Sequence, residues 1–255
     1  MKPARAKSYM KKIHLLMIGM ALTLPSLSRA AVNKGIEGSP HDFSTNSAYA
    51  AWNTRHGVCS PCHSAHNTDP AQIVPLWNHA TSTGPFTMYS SPTLDATMGS
   101  VPTGVSLACL SCHDGTLGIN ASISGLAGTN GPQYIDASAK IGPDLHVVHP
   151  ISFVYDPALA TKDGQLENPV TYHIGDPKTL LTINTAPVPP TWDGTSLTGK
   201  SIDTALLTDH QVQCSSCHDP HKLVGSAPSS GIMVKISGTD TAGRGSLICR
   251  TCHIK

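Results

Sequence analysis

The pentapeptide Cys-x-x-Cys-His occurs four times in this sequence, as Cys59-Ser-Pro-Cys62-His63, Cys109-Leu-Ser-Cys112-His113, Cys214-Ser-Ser-Cys217-His218 and Cys249-Arg-Thr-Cys252-His253. This pattern is the attachment site of c-type haem. The two thiols bond to the porphyrin, and the adjacent histidine reaches the iron from one side. All eight cysteines of the chain fall inside the four motifs. The sequence therefore predicts four covalently bound haem c groups, with His63, His113, His218 and His253 as the proximal iron ligands.

Other uses of paired cysteines explain the pattern less well. A disulfide framework fits an even cysteine count in an exported chain, but it gives no reason for a histidine after every second cysteine. Structural zinc needs closed sets of four ligands and does not require histidine at the fifth position four times. A thioredoxin-like redox motif occurs in a βαβ context, which this sequence lacks.

Residues 1–30 have the pattern of a signal peptide. Five basic residues precede an apolar run from Ile13 to Leu27, and Ser28-Arg29-Ala30 supplies small residues for cleavage. The run is too short for a membrane anchor. We therefore expect an exported protein that begins near Ala31 and has no membrane span, located in the periplasm or outside the cell.

The charge of the mature chain argues against a nucleic-acid partner. Without residues 1–30 the chain has 11 Lys and Arg against 16 Asp and Glu, a net charge of −5. Haem propionates would make the loaded protein more acidic. Nucleic acid is bound through a basic face, which this balance does not favour.

The composition predicts a fold that is organised by haem. Aromatic residues make up only 5% of the chain, while 22 Gly and 20 Pro are spread along it. Such a chain makes a poor hydrophobic core for its length, so the porphyrins are expected to act as the core. We predict a mostly irregular chain with short helices at the Cys-x-x-Cys-His motifs and little sheet. Short strands are expected at 147–148 and 151–155, an extended segment at 185–190, and a helical turn at 48–53.

The motif positions divide the mature chain into three parts. Residues 31–135 carry the first haem pair, and residues 211–255 carry the second. Between them, residues 136–210 are a Gly/Pro-rich segment expected to wrap the haems and to supply distal histidines. Each pair opens with Cys-His-x-x-His, which is the internal repeat of the sequence.

The ligand on the second face of each iron decides the function. An iron with one protein ligand has an open site for chemistry, whereas an iron with two passes electrons. The mature chain has nine histidines beyond the four proximal ones, and only three methionines, at 88, 98 and 233. We therefore predict His/His ligation and four low-spin, low-potential haems.

Four histidines are predicted as distal ligands. His66 and His221 follow a proximal histidine by three residues, which on a helical turn places both on one face, beside a second haem. His149 precedes a proline in an apolar stretch, where a lone histidine is costly unless its nitrogen is occupied. His41, in Pro-His-Asp-Phe-Ser, is the fourth. The remaining histidines, at 56, 79, 146, 173 and 210, are weaker candidates.

Several stretches resemble the doubled Cys-x-x-Cys-His multihaem cytochromes of metal-reducing bacteria. They are His-Asp-Phe-Ser at 41–44, Cys-His-Ser-Ala-His-Asn at 62–67, Pro-Leu-Trp-Asn-His at 75–79, Cys-Leu-Ser-Cys-His-Asp-Gly-Thr at 109–116, His-Pro-Ile-Ser-Phe at 149–153 and Cys-Ser-Ser-Cys-His-Asp-Pro-His at 214–221. In size and haem number the chain is most similar to the tetrahaem outer-membrane cytochromes that polymerise into extracellular nanowires. The resemblance also points to His41 and His149, and it implies that a histidine of one subunit, here His66, ligates a haem of the next. Soluble periplasmic shuttles share these motifs, so both assemblies remain open.

The sequence thus favours an electron-transfer protein that is not an enzyme. Its partners would be other multihaem redox proteins, extracellular acceptors, or further copies of itself in a head-to-tail polymer. The alternative is a multihaem reductase with one open haem, acting for example on nitrite or hydroxylamine. Such enzymes often carry a lysine or an altered motif in place of a proximal histidine, and all four motifs here are intact.

Overall fold

The structure is a computed structural model of the 255-residue chain, and it describes residues 36–37, 39–44, 52–66, 74–123, 131–174, 191–192, 195–197, 199–221, 235–236 and 246–254. The chain divides into Met1–Asn33 and Lys34–Lys255, and every described residue lies in the second unit. The expected signal peptide, the extended segment at 185–190 and most of the helical turn at 48–53 lie outside the described residues.

The helices of the described residues are short. They are α1 (Gly104–His113), α2 (Pro157–Asp163), α3 (Ile202–Leu206), α4 (Cys214–Cys217) and α5 (Leu247–Cys252). Helices of this length are marginal alone and depend on tertiary packing. Three of the five, α1, α4 and α5, contain the cysteines of the second, third and fourth motifs.

Local sequence explains where two of these helices begin and end. Asp156 caps α2 by accepting the N–H of Leu159 at 2.8 Å, and Pro157 occupies its first turn. Helix α1 ends at His113, and Gly115 follows with a φ of +70°, the left-handed conformation that terminates many helices.

Sheet is confined to two antiparallel ladders of two-residue strands in the described part of the chain. Strand β1 (Phe153–Val154) pairs with β4 (Gln211–Val212), with Phe153 opposite Val212. Strand β2 (Thr191–Trp192) pairs with β3 (Thr195–Ser196). The β1–β4 ladder brings the wrapping segment next to the third motif. The strand expected at 147–148 is absent there, and the one at 151–155 is shorter than expected.

A hydrophobic core of protein side chains lies in the second half of the chain. This role was expected to fall to the porphyrins, because aromatic residues make up only 5% of the chain and it has 22 Gly and 20 Pro. Helices α2 and α3 and the β1–β4 ladder gather apolar side chains into one cluster. Its buried members are Phe153, Tyr155, Leu159, Ala160, Tyr172, Ile174, Leu197, Ile202, Ala205, Leu206, Val212, Ile236 and Leu247. The wrapping segment therefore contributes a core of its own.

Within the described part of the chain, none of the helices has the length and apolar character that crossing a bilayer requires.

Candidate haem sites

Each motif places its two thiols and its histidine on one turn of backbone. The N–H of the motif histidine donates to the carbonyl of the first cysteine in three motifs: His63 to Cys59 at 2.9 Å, His218 to Cys214 at 3.0 Å, and His253 to Cys249 at 3.0 Å. In the second motif, Cys109–His113 is the last part of α1. The first motif makes this single turn without a longer helix. Pro61 lies inside it and has no N–H to extend the hydrogen-bond ladder.

The helical relation expected between the two histidines of Cys-His-x-x-His is not found. Helix α4 ends at Cys217, and His218 is extended, with φ −108° and ψ 144°. His63 forms an isolated antiparallel bridge with Trp77 instead of continuing a helix to His66. An extended residue after the motif changes the direction of the chain, so the second histidine is carried away from the first.

The imidazoles of two proximal histidines are oriented by backbone carbonyls. His63 Nδ1 donates to the carbonyl of Pro75 at 2.9 Å, and His113 Nδ1 donates to that of Ala139 at 2.9 Å. A hydrogen bond of this kind fixes the tautomer and leaves Nε2 with a free lone pair, which is the usual arrangement for a metal-binding histidine. Among the predicted distal ligands, His149 Nδ1 makes the same contact with Pro150 at 2.8 Å.

Three proximal histidines each face one predicted distal histidine across the fold. The ring centres of His41 and His113 are 6.0 Å apart, those of His63 and His221 are 6.2 Å apart, and those of His149 and His253 are 6.3 Å apart. The angles between the ring planes are 80°, 20° and 74° in the same order. Each pair joins residues that are distant in the sequence.

This spacing fits two imidazoles that share one metal ion. A metal–nitrogen bond of about 2 Å and about 1 Å from nitrogen to ring centre, on each side, give about 6 Å between centres. The nearly parallel rings of His63 and His221, at 6.2 Å, also lie within the range of an offset aromatic pair. Other aromatic contacts in this region, such as His63 with Trp77 at 6.3 Å, fall in the same range. What sets the three pairs apart is that each combines one proximal and one predicted distal histidine.

The histidine of the third motif has no such partner. In the part of the chain that the structure describes, which includes all 13 histidines from His41 onwards, no imidazole faces His218 at a comparable distance. His66, the remaining predicted distal ligand, is exposed, and its N–H is bonded to Ser64 Oγ at 3.3 Å. His66 and His218 are therefore the two predicted ligands that one chain does not bring together.

All five histidines ranked as weaker candidates have polar partners of their own. Nδ1 of His56 and Nδ1 of His173 donate to the carbonyls of Ser44 and Thr171 at 3.1 and 3.0 Å. His79 is buried, with Nδ1 at 2.7 Å from the Ala80 carbonyl and Nε2 at 2.9 Å from the Gly118 carbonyl, so both ring nitrogens lie against backbone oxygens. His146 and His210 are exposed and contact the carboxylates of Asp144 and Asp203 at 2.5 and 2.7 Å. The Asp203 contact raises the pKa of His210, which favours a charged surface imidazole.

Burial keeps His41 neutral. It lowers the pKa of His41 to about 4, with repulsion from His113 and His221 acting in the same direction. A neutral imidazole retains the lone pair that a metal ligand needs.

Burial also raises the pKa of the Cys62, Cys217 and Cys112 thiols, to about 11, 11 and 12.

Cysteines of successive motifs are close enough to affect one another electrostatically. Cys62 raises the pKa of Cys112, and Cys217 raises that of Cys252, in each case after the larger effect of burial. Cys109 and Cys214 make a direct side-chain contact, which raises the pKa of Cys109 and lowers that of Cys214. The four motifs thus neighbour one another in chain order, first to second, second to third, and third to fourth.

Two buried carboxylates directly follow proximal histidines, and the sequence analysis did not single them out. Asp114 accepts hydrogen bonds from Ser82 Oγ and from the N–H and Oγ1 of Thr116, the N–H at 2.7 Å. Asp219 accepts the N–H of His221 at 2.9 Å. The sequence signal for both is the Cys-His-Asp tripeptide of the second and third motifs. Each carboxylate accepts the N–H of the residue two positions later and so closes the turn that follows its motif histidine.

The donor set fits haem better than a bare metal ion. Imidazole pairs across a gap, with cysteine pairs beside one member, match axial ligation together with covalent attachment. In the described residues, no three His, Cys, Asp or Glu side chains converge as they would around a bare ion. The chain matches no protein-family model, and no curated protein is similar enough to it to count as a match.

Proposed function

We propose that this chain is a tetrahaem c-type cytochrome that transfers electrons through His/His-ligated haems. The observation that carries the proposal is the set of three imidazole pairs, each a motif histidine facing a second histidine at 6.0–6.3 Å. On this basis the second haem would be held by His113 and His41, the first by His63 and His221, and the fourth by His253 and His149.

The chain's own residues have three tasks in this function. Bound haem iron supplies a one-electron couple between its ferric and ferrous forms. The cysteines would attach the group covalently and the imidazoles would ligate its iron, while the carbonyls of Pro75, Ala139 and Pro150 fix the ring tautomers. Two imidazoles per iron favour a low potential, since a methionine ligand would raise it.

The cellular setting follows from the sequence. An exported, acidic chain suits the periplasm or the cell exterior, where it would receive electrons from other multihaem redox proteins and pass them towards extracellular acceptors. Because net charge steers association, basic surfaces on a partner would be favoured.

The proposal extends to a head-to-tail polymer in which His66 of one copy ligates the haem of His218 in the next. The support is the internal repeat. The second histidine of the later Cys-His-x-x-His, His221, faces the proximal histidine of the earlier one, His63. The reciprocal contact, from His66 to His218, is not made within one chain. Because a heterologous contact that does not close generates filaments, a second copy that made it would extend the array.

Haem quantitation with low-temperature EPR of the oxidised, matured protein tests the function. We expect four haems per chain, with at least three low-spin irons in the separated monomer and four in an assembled polymer. A preparation without covalent haem, or with fewer than three low-spin irons, would overturn the electron-carrier assignment. Electron microscopy of the secreted protein tests the polymer separately, since a carrier that stays monomeric contradicts only the extension.

One observation favours the competing reductase. The histidine that lacks a facing partner in the described residues, His218, would leave one iron with an open face. A high-spin iron that persists in the assembled protein, together with turnover of nitrite or hydroxylamine, would establish the enzyme. Absence of turnover in a protein whose irons are all low-spin would exclude it.

A further inference from the structure

A buried polar network joins the second motif to the third, which are separated by 100 residues. Ser106, in the first turn of α1, donates its N–H to Gln213 Oε1 at 3.0 Å. Its hydroxyl oxygen accepts the N–H of Cys214 at 2.9 Å. Ser106 is fully buried, and Gln213 is 3% exposed. Two residues that belong to different halves of the chain are thus bonded directly, next to the cysteines of both motifs.

The backbone N–H and the side-chain amide of Gln213 both make further hydrogen bonds. Its N–H donates to Ser216 Oγ at 2.9 Å in a capping box of α4, and its Nε2 donates to Gln211 Oε1 at 2.8 Å. Ser152 Oγ lies 3.5 Å from Gln213 Oε1 and accepts the N–H of Thr103 at 3.0 Å. With its amide engaged at both ends, Gln213 has one available orientation.

Backbone strain marks the same place. Ser152 has a φ of +61°, in the left-handed region that costs a non-glycine residue of order 1 kcal/mol or more. Such a conformation persists only where the surroundings determine it. Here the N–H of Ser152 donates to the Val212 carbonyl at 2.7 Å, and its hydroxyl contacts Thr103. The strain is therefore held by hydrogen bonds to α1 on one side and to β4 on the other.

The network surrounds the contact between Cys109 and Cys214. These are the first cysteines of their motifs, and their side chains interact directly. Ser106 Oγ also hydrogen-bonds towards the Cys214 sulfur. Because the first and second motifs are neighbours, and so are the third and fourth, this contact is where the two haem pairs would meet.

We propose that Ser106 and Gln213 are positioning residues that set the spacing between the second and third haem attachment sites, and that the two haem pairs are electronically joined there. The inference rests on the proposed function, because it concerns haems that the motifs would carry. The competing junction lies between the first and third sites, which the His63–His221 pair also brings together.

The test compares Ser106→Ala and Gln213→Ala with Asn120→Ala in the haem-loaded protein. Asn120 is a matched control, because it is a buried polar residue outside the four motifs whose side chain bonds to the carbonyl of Gly131 and to the N–H of Gln133, both within residues 31–135. The readouts are the exciton component of the Soret circular dichroism and the electron exchange between assigned haems by NMR. Haem content and the low-spin spectrum show whether each variant is loaded.

We expect Ser106→Ala and Gln213→Ala to slow exchange between the second and third haems severalfold and to lose the corresponding exciton component. Exchange within each pair, and all exchange in Asn120→Ala, should remain as in the parent protein. Loaded variants with parental exchange at the junction would overturn the proposal while leaving the electron-carrier assignment intact. If the variants do not retain haem, the same measurements on the parent protein test the proposal. Stronger coupling between the first and third haems than between the second and third would then overturn it.

Discussion

Replacing His221 with alanine is expected to remove the sixth ligand from one iron, that of the first motif. The structure places the His221 ring 6.2 Å from that of His63 and at 20° to it, and the proposed function assigns these two imidazoles to one iron. The change should therefore be confined to one haem in four, with the loss of one quarter of the low-spin EPR intensity of the fully ligated protein. A high-spin signal of equal weight should replace it, and added imidazole should reverse the change.

His66→Ala is the matched control for this experiment. Both residues are exposed and follow a motif histidine by three positions, but His66 faces no other imidazole in the described part of the chain. In separated monomers His66→Ala should leave the spectrum unchanged, and in an assembled polymer it should remove one low-spin iron. If His66→Ala removes one low-spin iron from the monomer and His221→Ala removes none, the ligand assignment is wrong.

Three further changes test the electrostatics and packing around the motifs. Burial lowers the pKa of Lys235 from 10.5 to about 8. Between these pH values the unfolded chain holds a proton on Lys235 that the native chain has lost. The free energy of unfolding should therefore rise with pH across this range, by about 3 kcal/mol in total. This rise should vanish in Lys235→Met. The measurement is denaturant unfolding of the haem-loaded variant and of the parent protein at each pH. A rise that persists in the variant would show that Lys235 is not its source. Asp114→Ala should destabilise the protein by about 1–3 kcal/mol, because it leaves the buried hydroxyl of Ser82 without its carboxylate acceptor, whereas the exposed Asp136→Ala should change the denaturation midpoint little. Gly115→Ala should cost about 1 kcal/mol of stability, because Gly115 has a φ of +70° and its added Cβ would meet the Lys140 side chain. The control Gly131→Ala should be nearly neutral, because there is open space around that position. Equal thermal midpoints for the two variants would show that the left-handed turn is not needed.

Much of the local structure could be predicted, because it depends on short-range rules. Glycine just past a helical run is a common helix stop, and Gly115 has the left-handed conformation just past the helix of the second motif. The backbone after the motifs was predicted less well. The i, i+3 spacing of His218 and His221 suggested a continuous helix, but α4 is only four residues long and ends before His218. A helix this short has too few internal hydrogen bonds to extend itself against tertiary contacts.

The protein core was missed for a related reason. Tyr155, Tyr172, Leu197 and Ile202 are apolar residues with no helical or strand period between them, so no local pattern marks them as one cluster. They meet because β1 pairs with β4 and because the intervening chain folds back on itself. Contacts of this kind are properties of the path of the chain.

The sequence by itself determined the four motif positions and, with them, the thiols and histidines that could attach a haem, because covalent attachment needs fixed residue types at fixed short spacing. It also supplied the candidate distal histidines, but it did not assign them to motifs. Only the tertiary structure decided that His41 faces His113, that His221 crosses to His63 and that His149 faces His253. The physical reason is that these rings belong to segments separated by many residues, and their distance is set by long-range hydrogen bonds and packing that no local pattern encodes.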